Sequence, residues 1–189
     1  MPEEVHDALA GAIERLRPLG RGVAWVARDN LHITLKFLGH VEADRLERAM
    51  VALHAATSTV GAFELSVVGL GAFPSPSRPR VVWAGLGAGA DAARTLAARI
   101  DEGLSREGFA KEEREFAGHI TLGRVREPRH DPDLASAIAA AGGRPFGRLN
   151  AERVSLMRSD LSPRGARYSV ISEWPLARPI DQRTTTTTR

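Results

Sequence analysis

Two stretches of the chain, 3–17 and 90–104, carry leucine, isoleucine and alanine at helical spacing among charged residues, which predicts two amphipathic helices 87 residues apart. The same offset relates everything that follows them. The tetrapeptide His-Ile-Thr-Leu occurs at 32–35 and again at 119–122. A second helical pattern follows each copy, at 42–56 and 132–141. Then come an extended segment, 63–71 and 150–158, and another, 80–83 and 167–170. Each half, about 3–86 and 90–173, therefore predicts helix, motif strand, helix, strand, strand. Asn30 or Asp29 and Gly39 punctuate the first motif strand, and Gly118 and Pro128 the second. Pro74, Pro76 and Pro79 mark a loop between the later strands of the first half.

The repeat also exposes a gap. In the second half a strand, 80–86, leads into the helix at 90. Its counterpart would lie upstream of Met1, so the first motif's lobe is expected to lack one strand. If a pseudo-twofold axis relates the two halves, their motif faces can meet across a cleft. Residues 1–178 are expected to form a single domain of two lobes. The run Thr184–Thr188 is low-complexity, and 179–189 reads as a disordered tail.

Strand parity gives the tetrapeptide its chemical interest. Alternate side chains of a strand share a face. His32 and Thr34 point one way, with Lys36 beyond them, while Ile33, Leu35 and Phe37 point into a core. His119 and Thr121 do the same over Ile120 and Leu122. A single His-x-Thr is ordinary half-buried sheet more often than catalysis. Two copies at equivalent places of a repeat are different, because duplication explains shared apolar positions more readily than retention of the polar pair. Across a cleft, two imidazoles and two hydroxyls suit in-line displacement at a phosphodiester, which wants a base at one end and an acid at the other. Histidine titrates near neutral pH and can play either part. The threonine hydroxyls can donate to the phosphate oxygens where charge collects. No metal or cofactor is needed.

Composition narrows the alternatives. The 189 residues contain no cysteine, which excludes disulfides, zinc–thiolate sites and thiol nucleophiles. No apolar run approaches the roughly 20 residues of a membrane helix. The acidic start is not a signal peptide, and the simplest location is cytoplasmic. The net charge of +3 argues against coating long nucleic acids by charge alone. Lys36 and Lys111 are the only lysines, so nearly all cations are arginine, which suits phosphate but also fits a compositional bias. His6 and His54 fall in helical patterns, His40 ends the first motif strand and His130 sits in a polar loop; none has a partner at metal spacing. The glycine-rich 85–91 lacks the residues of a phosphate loop and reads as a turn with Asp91 as helix N-cap. Arg124, two residues past the second tetrapeptide, falls on the wrong face by strict alternation unless Gly123 permits a bulge that returns it to the cleft. Lys36 has the better parity but less support.

His32-Ile-Thr-Leu-Lys-Phe-Leu-Gly39 and His119-Ile-Thr-Leu-Gly-Arg-Val125 resemble the paired signatures of the 2H phosphoesterases. With Gly69-Leu-Gly-Ala-Phe-Pro74, Arg80-Val-Val-Trp83, Leu156-Met-Arg-Ser159 and Gly165-Ala-Arg-Tyr168, they look most like the RNA 2′,3′-cyclic phosphodiesterase branch, formerly called 2′-5′ RNA ligases. The resemblance extends to about residue 177. It implies an α+β fold of two pseudo-twofold-related lobes, with antiparallel sheets flanking a central cleft and helices outside, and hydrolysis of a 2′,3′-cyclic phosphate, at an RNA end or in a small cyclic nucleotide, to a 2′-phosphomonoester. By that analogy His32 is the proton donor to O3′ and His119 the proton acceptor that activates water. Thr34 and Thr121 hold the phosphate and Arg124 assists; the near-symmetric sequence does not itself assign acid and base. Members of the family begin with an apolar strand before the first helix, and here Met1-Pro-Glu-Glu starts at the following turn, the same gap that the repeat marks. A 2′-5′ end-joining ligase and a non-catalytic module for phosphorylated RNA ends remain as alternatives. Trp25, Phe73 and Trp83 could stack on a base, but core packing is the more ordinary use of each. A monomer is expected.

Overall fold

The computed structural model describes residues 1–127, 131–162 and 165–177. Pro128, His130 and the tail from 179, on which sequence expectations were placed, lie outside the described residues. Helix α1 (Glu3–Leu16) buries Val5, Leu9, Ala12, Ile13 and Leu16 along one stripe, the spacing of a helix lying on a sheet. Strand β1 (Val23–Trp25) and a 3-10 turn, Arg28–Asn30, lead to the first tetrapeptide. Then come α2 (Ala43–Thr57), β2 (Phe63–Phe73), β3 (Val81–Leu86), α3 (Ala90–Arg106), β4 (His119–Val125), α4 (Pro132–Ala140), β5 (Pro145–Ala151), β6 (Arg153–Ser162) and β7 (Gly165–Pro175). All four helices lie where the periodicity predicts them. Helix α4 starts sharply because the Asp131 carboxylate accepts from the Leu134 amide and Pro132 fills the first turn. At α3 the expected cap is corrected: Gly89, at φ 82, is the N-cap, and Asp91 lies within the first turn, paired with Arg94. The turn out of β3 needs a left-handed residue, which glycine adopts freely. No described helix is long and apolar enough to cross a membrane.

Five antiparallel strands form one sheet in the order β1-β4-β3-β2-β5, and β6 and β7 form a separate hairpin. The segment 150–158, predicted as one strand, is split: β5 pairs with β2, and after Glu152 the chain leaves for the hairpin. Hydrophobic alternation cannot show a strand changing sheets, and β1 is too short to announce itself.

Two cores result. In the first, α1 and α4 cover the five-stranded sheet through Leu9, Ile13, Val82, Ile120, Leu122, Leu134 and Ile138. In the second, α2 and α3 pack with Phe109 against Val154 of β6 and Trp174 of β7. Helix α1 belongs to the first half of the repeat and α4 to the second, so each lobe takes pieces from both halves.

The first motif departs from expectation. It makes no ladder; its only strand pairing among the described residues is a bridge between Ile33 and Ile120. Second-motif strand β4 is paired along its length by β3, whereas no described strand forms a ladder with the first motif. Instead the segment runs from one core to the other. Leu31 and Ile33 pack in the first, Leu35 and Leu38 against the second. Phe37, expected inside, is 69% exposed, because the segment has left the first core before reaching it.

Candidate active site

The single bridge brings the motifs together. Ile33 and Ile120 face each other across an antiparallel pair, both turned into the first core. In that register His32 falls opposite Thr121, and Thr34 opposite His119, on the other face. The two His-Thr pairs are thus interleaved around one point. The histidines lie on a diagonal of this square, where neighbours are about 7–8 Å apart at Cα, a spacing that leaves room for one phosphate. Neither threonine hydroxyl bonds to another described group, so both donors are available.

Each imidazole is held in the same way. His32 Nδ1 donates to the Asn30 carbonyl at 2.7 Å, and His119 Nδ1 donates to the Ala117 carbonyl at 2.7 Å. A carbonyl can only accept, so Nδ1 carries a proton in both rings, and Nε2 is left to exchange a proton with a substrate. Each ring also meets an aromatic edge-on: Tyr168 at 4.9 Å from His32, Phe73 at 5.2 Å from His119. Trp83 sits 5.2 Å from Phe73 and close to Gly71, where a Cβ would come within 2.2 Å of the indole. Of the three aromatics suggested as base platforms, Phe73 is 36% exposed, while Trp25 packs against the first core.

Arg124 is carried back to the motif face by a bulge. Val82 pairs with Gly123 and Trp83 with Thr121, leaving Leu122 as the extra residue of β4. A Cβ on Gly123 would point at Val23 and Trp25, on the core side with Leu122. Arg124 then pairs with Val81, two residues from Trp83, and so shares the face of Trp83 and Thr121. It is exposed and makes no ion pair with another described residue. Lys36 does the opposite of what its parity suggests: it is buried away from the site, bonded to Asp101 and to the Ala110 carbonyl. The other described histidines are elsewhere. His6 donates to the Arg28 carbonyl and His40 meets Glu42. A groove of about 360 Å³ between α2 and α3 includes none of the motif residues.

Neither Tyr168 nor the role of Asn30 follows from the sequence, in which Asn30 is only punctuation. Their signal lies in contacts across the fold, which no local pattern encodes.

Comparisons with known proteins give the family of the chain. The family model described as LigT-like phosphoesterase matches residues 1–83 and 86–168, once for each half of the repeat. A relative from Archaeoglobus fulgidus named RNA 2′,3′-cyclic phosphodiesterase is 37% identical over 171 residues, covering 87% of this chain and 92% of its own. One of the same name from Aeropyrum pernix is 33% identical over 169 residues, covering 87% and 95%. Among solved structures, one from Thermus thermophilus has a TM-score of 0.74 at 31% identity over 93% of each chain. E. coli LigT complexed with 3′-AMP has a TM-score of 0.75 at 25% identity, again over 93% of each. A chain that carries the duplicated motif, the two-core α+β architecture and these likenesses over nearly its whole length belongs to the LigT-like branch of the 2H phosphoesterases.

Proposed function

We propose that this protein hydrolyses 2′,3′-cyclic phosphates at RNA ends, or in small cyclic nucleotides, to 2′-phosphomonoesters, and that the interleaved His-Thr square does the chemistry. The observation that carries the reading is the Ile33–Ile120 bridge, which turns two distant tetrapeptides into one four-residue surface. The names of the relatives supply the substrate class.

The ring phosphate sits between the two imidazoles with its non-bridging oxygens toward the hydroxyls of Thr34 and Thr121. Neutral His119 takes a proton from water at Nε2 as the water oxygen attacks phosphorus. The P–O3′ bond opposite breaks, and protonated His32 gives its Nε2 proton to the departing O3′. The product keeps the phosphate on O2′ and gains a free 3′-hydroxyl. His119 ends protonated and His32 neutral, and exchange with solvent restores the starting pair. The hydroxyls donate to oxygens whose charge grows in the transition state, and the Arg124 guanidinium offsets that charge from the same face. No step calls for a metal. Because the square is nearly symmetric, the acid and base roles rest on the family likeness rather than on the arrangement itself.

The test is hydrolysis of a 2′,3′-cyclic phosphate-ended oligonucleotide in EDTA, with the phosphomonoester position read by ³¹P NMR. Turnover to the 2′-phosphate is expected. A 3′-phosphate product would reverse the geometry at phosphorus, and binding without turnover would make the site a recognition module. A 2′-5′ linkage formed when 5′-hydroxyl RNA is supplied would favour end joining.

A further inference from the structure

The two histidines are held unequally. His119 lies in a strand paired to β3, with Gly85 directly opposite. His32 stands next to one isolated bridge, so sheet pairing alone does little to fix the backbone whose carbonyl orients its ring. That carbonyl belongs to Asn30, which is also tied elsewhere. The Asn30 side-chain amide donates to the carbonyl of Ala166 on β7 at 2.9 Å, across 136 residues of sequence. Two residues further along β7, Tyr168 sets its ring against His32. On the other side, the 3-10 turn that contains Asn30 is anchored to α1: Arg28 pairs with Glu3 and Asp7, and the Arg28 carbonyl accepts from His6.

We infer that Asn30 is a positioning residue for His32, whose own backbone, unlike that of His119, is not part of a described ladder. Its backbone carbonyl selects the His32 tautomer, and its amide, bonded to β7, holds that carbonyl in place. The β6–β7 hairpin thereby aligns one histidine of the pair, and Tyr168 packs the ring from the same strand. This rests on the proposal that His32 is catalytic. It goes beyond that proposal in naming what holds the ring.

The substitutions are Asn30→Asp, which keeps the shape of the side chain and removes the donor, and Asn30→Ala. The readouts are kcat and KM on a 2′,3′-cyclic phosphate and the ¹⁵N spectrum of the histidine rings. Either variant is expected to lose between about tenfold and about a hundredfold in kcat with KM within about twofold, since misplacement by about 1 Å can cost about a hundredfold. The His32 ring is expected to lose its single Nδ1–H form while the His119 signals stay unchanged. If Asn30→Ala does not fold, the near-isosteric Asn30→Asp carries the test alone. Parental kcat together with an unaltered His32 spectrum overturns the inference. Loss of the His119 signals as well would mean general disruption and would equally overturn it. Near-normal turnover by His32→Ala would instead overturn the catalytic reading, a separate failure.

Discussion

At the scale of single residues, the threonines are the sharpest probes, because they differ from valine by one hydroxyl. Thr34 and Thr121 stand diagonally across the square, each opposite the other motif's histidine. Replacing either by valine keeps the branched shape and removes one donor to the phosphate, so kcat should fall about a hundredfold or more with little change in melting temperature. Steady-state kinetics and a thermal melt check both halves of that statement. These four polar residues could be read from the chain because duplication displays them twice. Asn30 could not be read as more than punctuation, since its side-chain partner is 136 residues away. Lys36 was misleading for a related reason: parity placed it beside His32, but a buried carboxylate 65 residues on captured it.

At the scale of elements, two features decide how the motifs are presented. One is the bulge in β4. Gly123 allows Val23 and Trp25 to close over it, and a Cβ would lie 2.6 Å from Val23. Gly123→Ala should therefore cost about 1–3 kcal/mol by overpacking and disturb Arg124 as β1 shifts, measurable as a lower urea midpoint together with a lower kcat. The other is the Lys36–Asp101 pair, which fastens the far end of the first-motif segment to α3 with side chains only 4% and 13% exposed. Burial alone would raise the Asp101 carboxyl, but hydrogen bonds from Lys36 and the Glu112 amide, with the charges of Lys36 and Lys111, hold it below the ordinary carboxylate range. A carboxyl depressed in the folded state stabilises the protein above its unfolded value, about 3.9, and that stabilisation is lost as pH falls through the lower folded value. Urea midpoints at pH 6 and pH 2.5 should therefore differ more for the parent than for Asp101→Asn. Lys36→Met, which leaves the Asp101 carboxylate without its cation and with the Glu112 amide as its remaining donor, should cost about 3–5 kcal/mol at neutral pH, and adding Asp101→Leu should recover much of it.

At the scale of the whole molecule, the interleaving of the halves explains why so much was readable. The four described helices, strands β2, β3, β4 and β7 and the duplication of the tetrapeptide follow from periodicity and repeat alone. The meeting of α1 and α4 on one sheet, the splitting of 150–158 and the reduction of the first motif to one bridge depend on which elements find neighbours, and hydrophobic patterns do not record neighbours. Ile120 is the hinge of this arrangement, fully buried in the first core and facing Ile33. Ile120→Ala should cost about 2–5 kcal/mol and also reduce turnover, since it loosens the only strand pairing between the motifs; chemical denaturation and kinetics on the same sample would show both. The central claim is that two copies of one tetrapeptide act as a single site, and a double-mutant cycle on kcat tests it most directly. His32→Ala and His119→Ala should each lower kcat by about a hundredfold or more, and the double variant should be little slower than either single one, as expected for residues acting as a unit. Losses that multiply in the double variant, or a single variant with near-normal turnover, would contradict it.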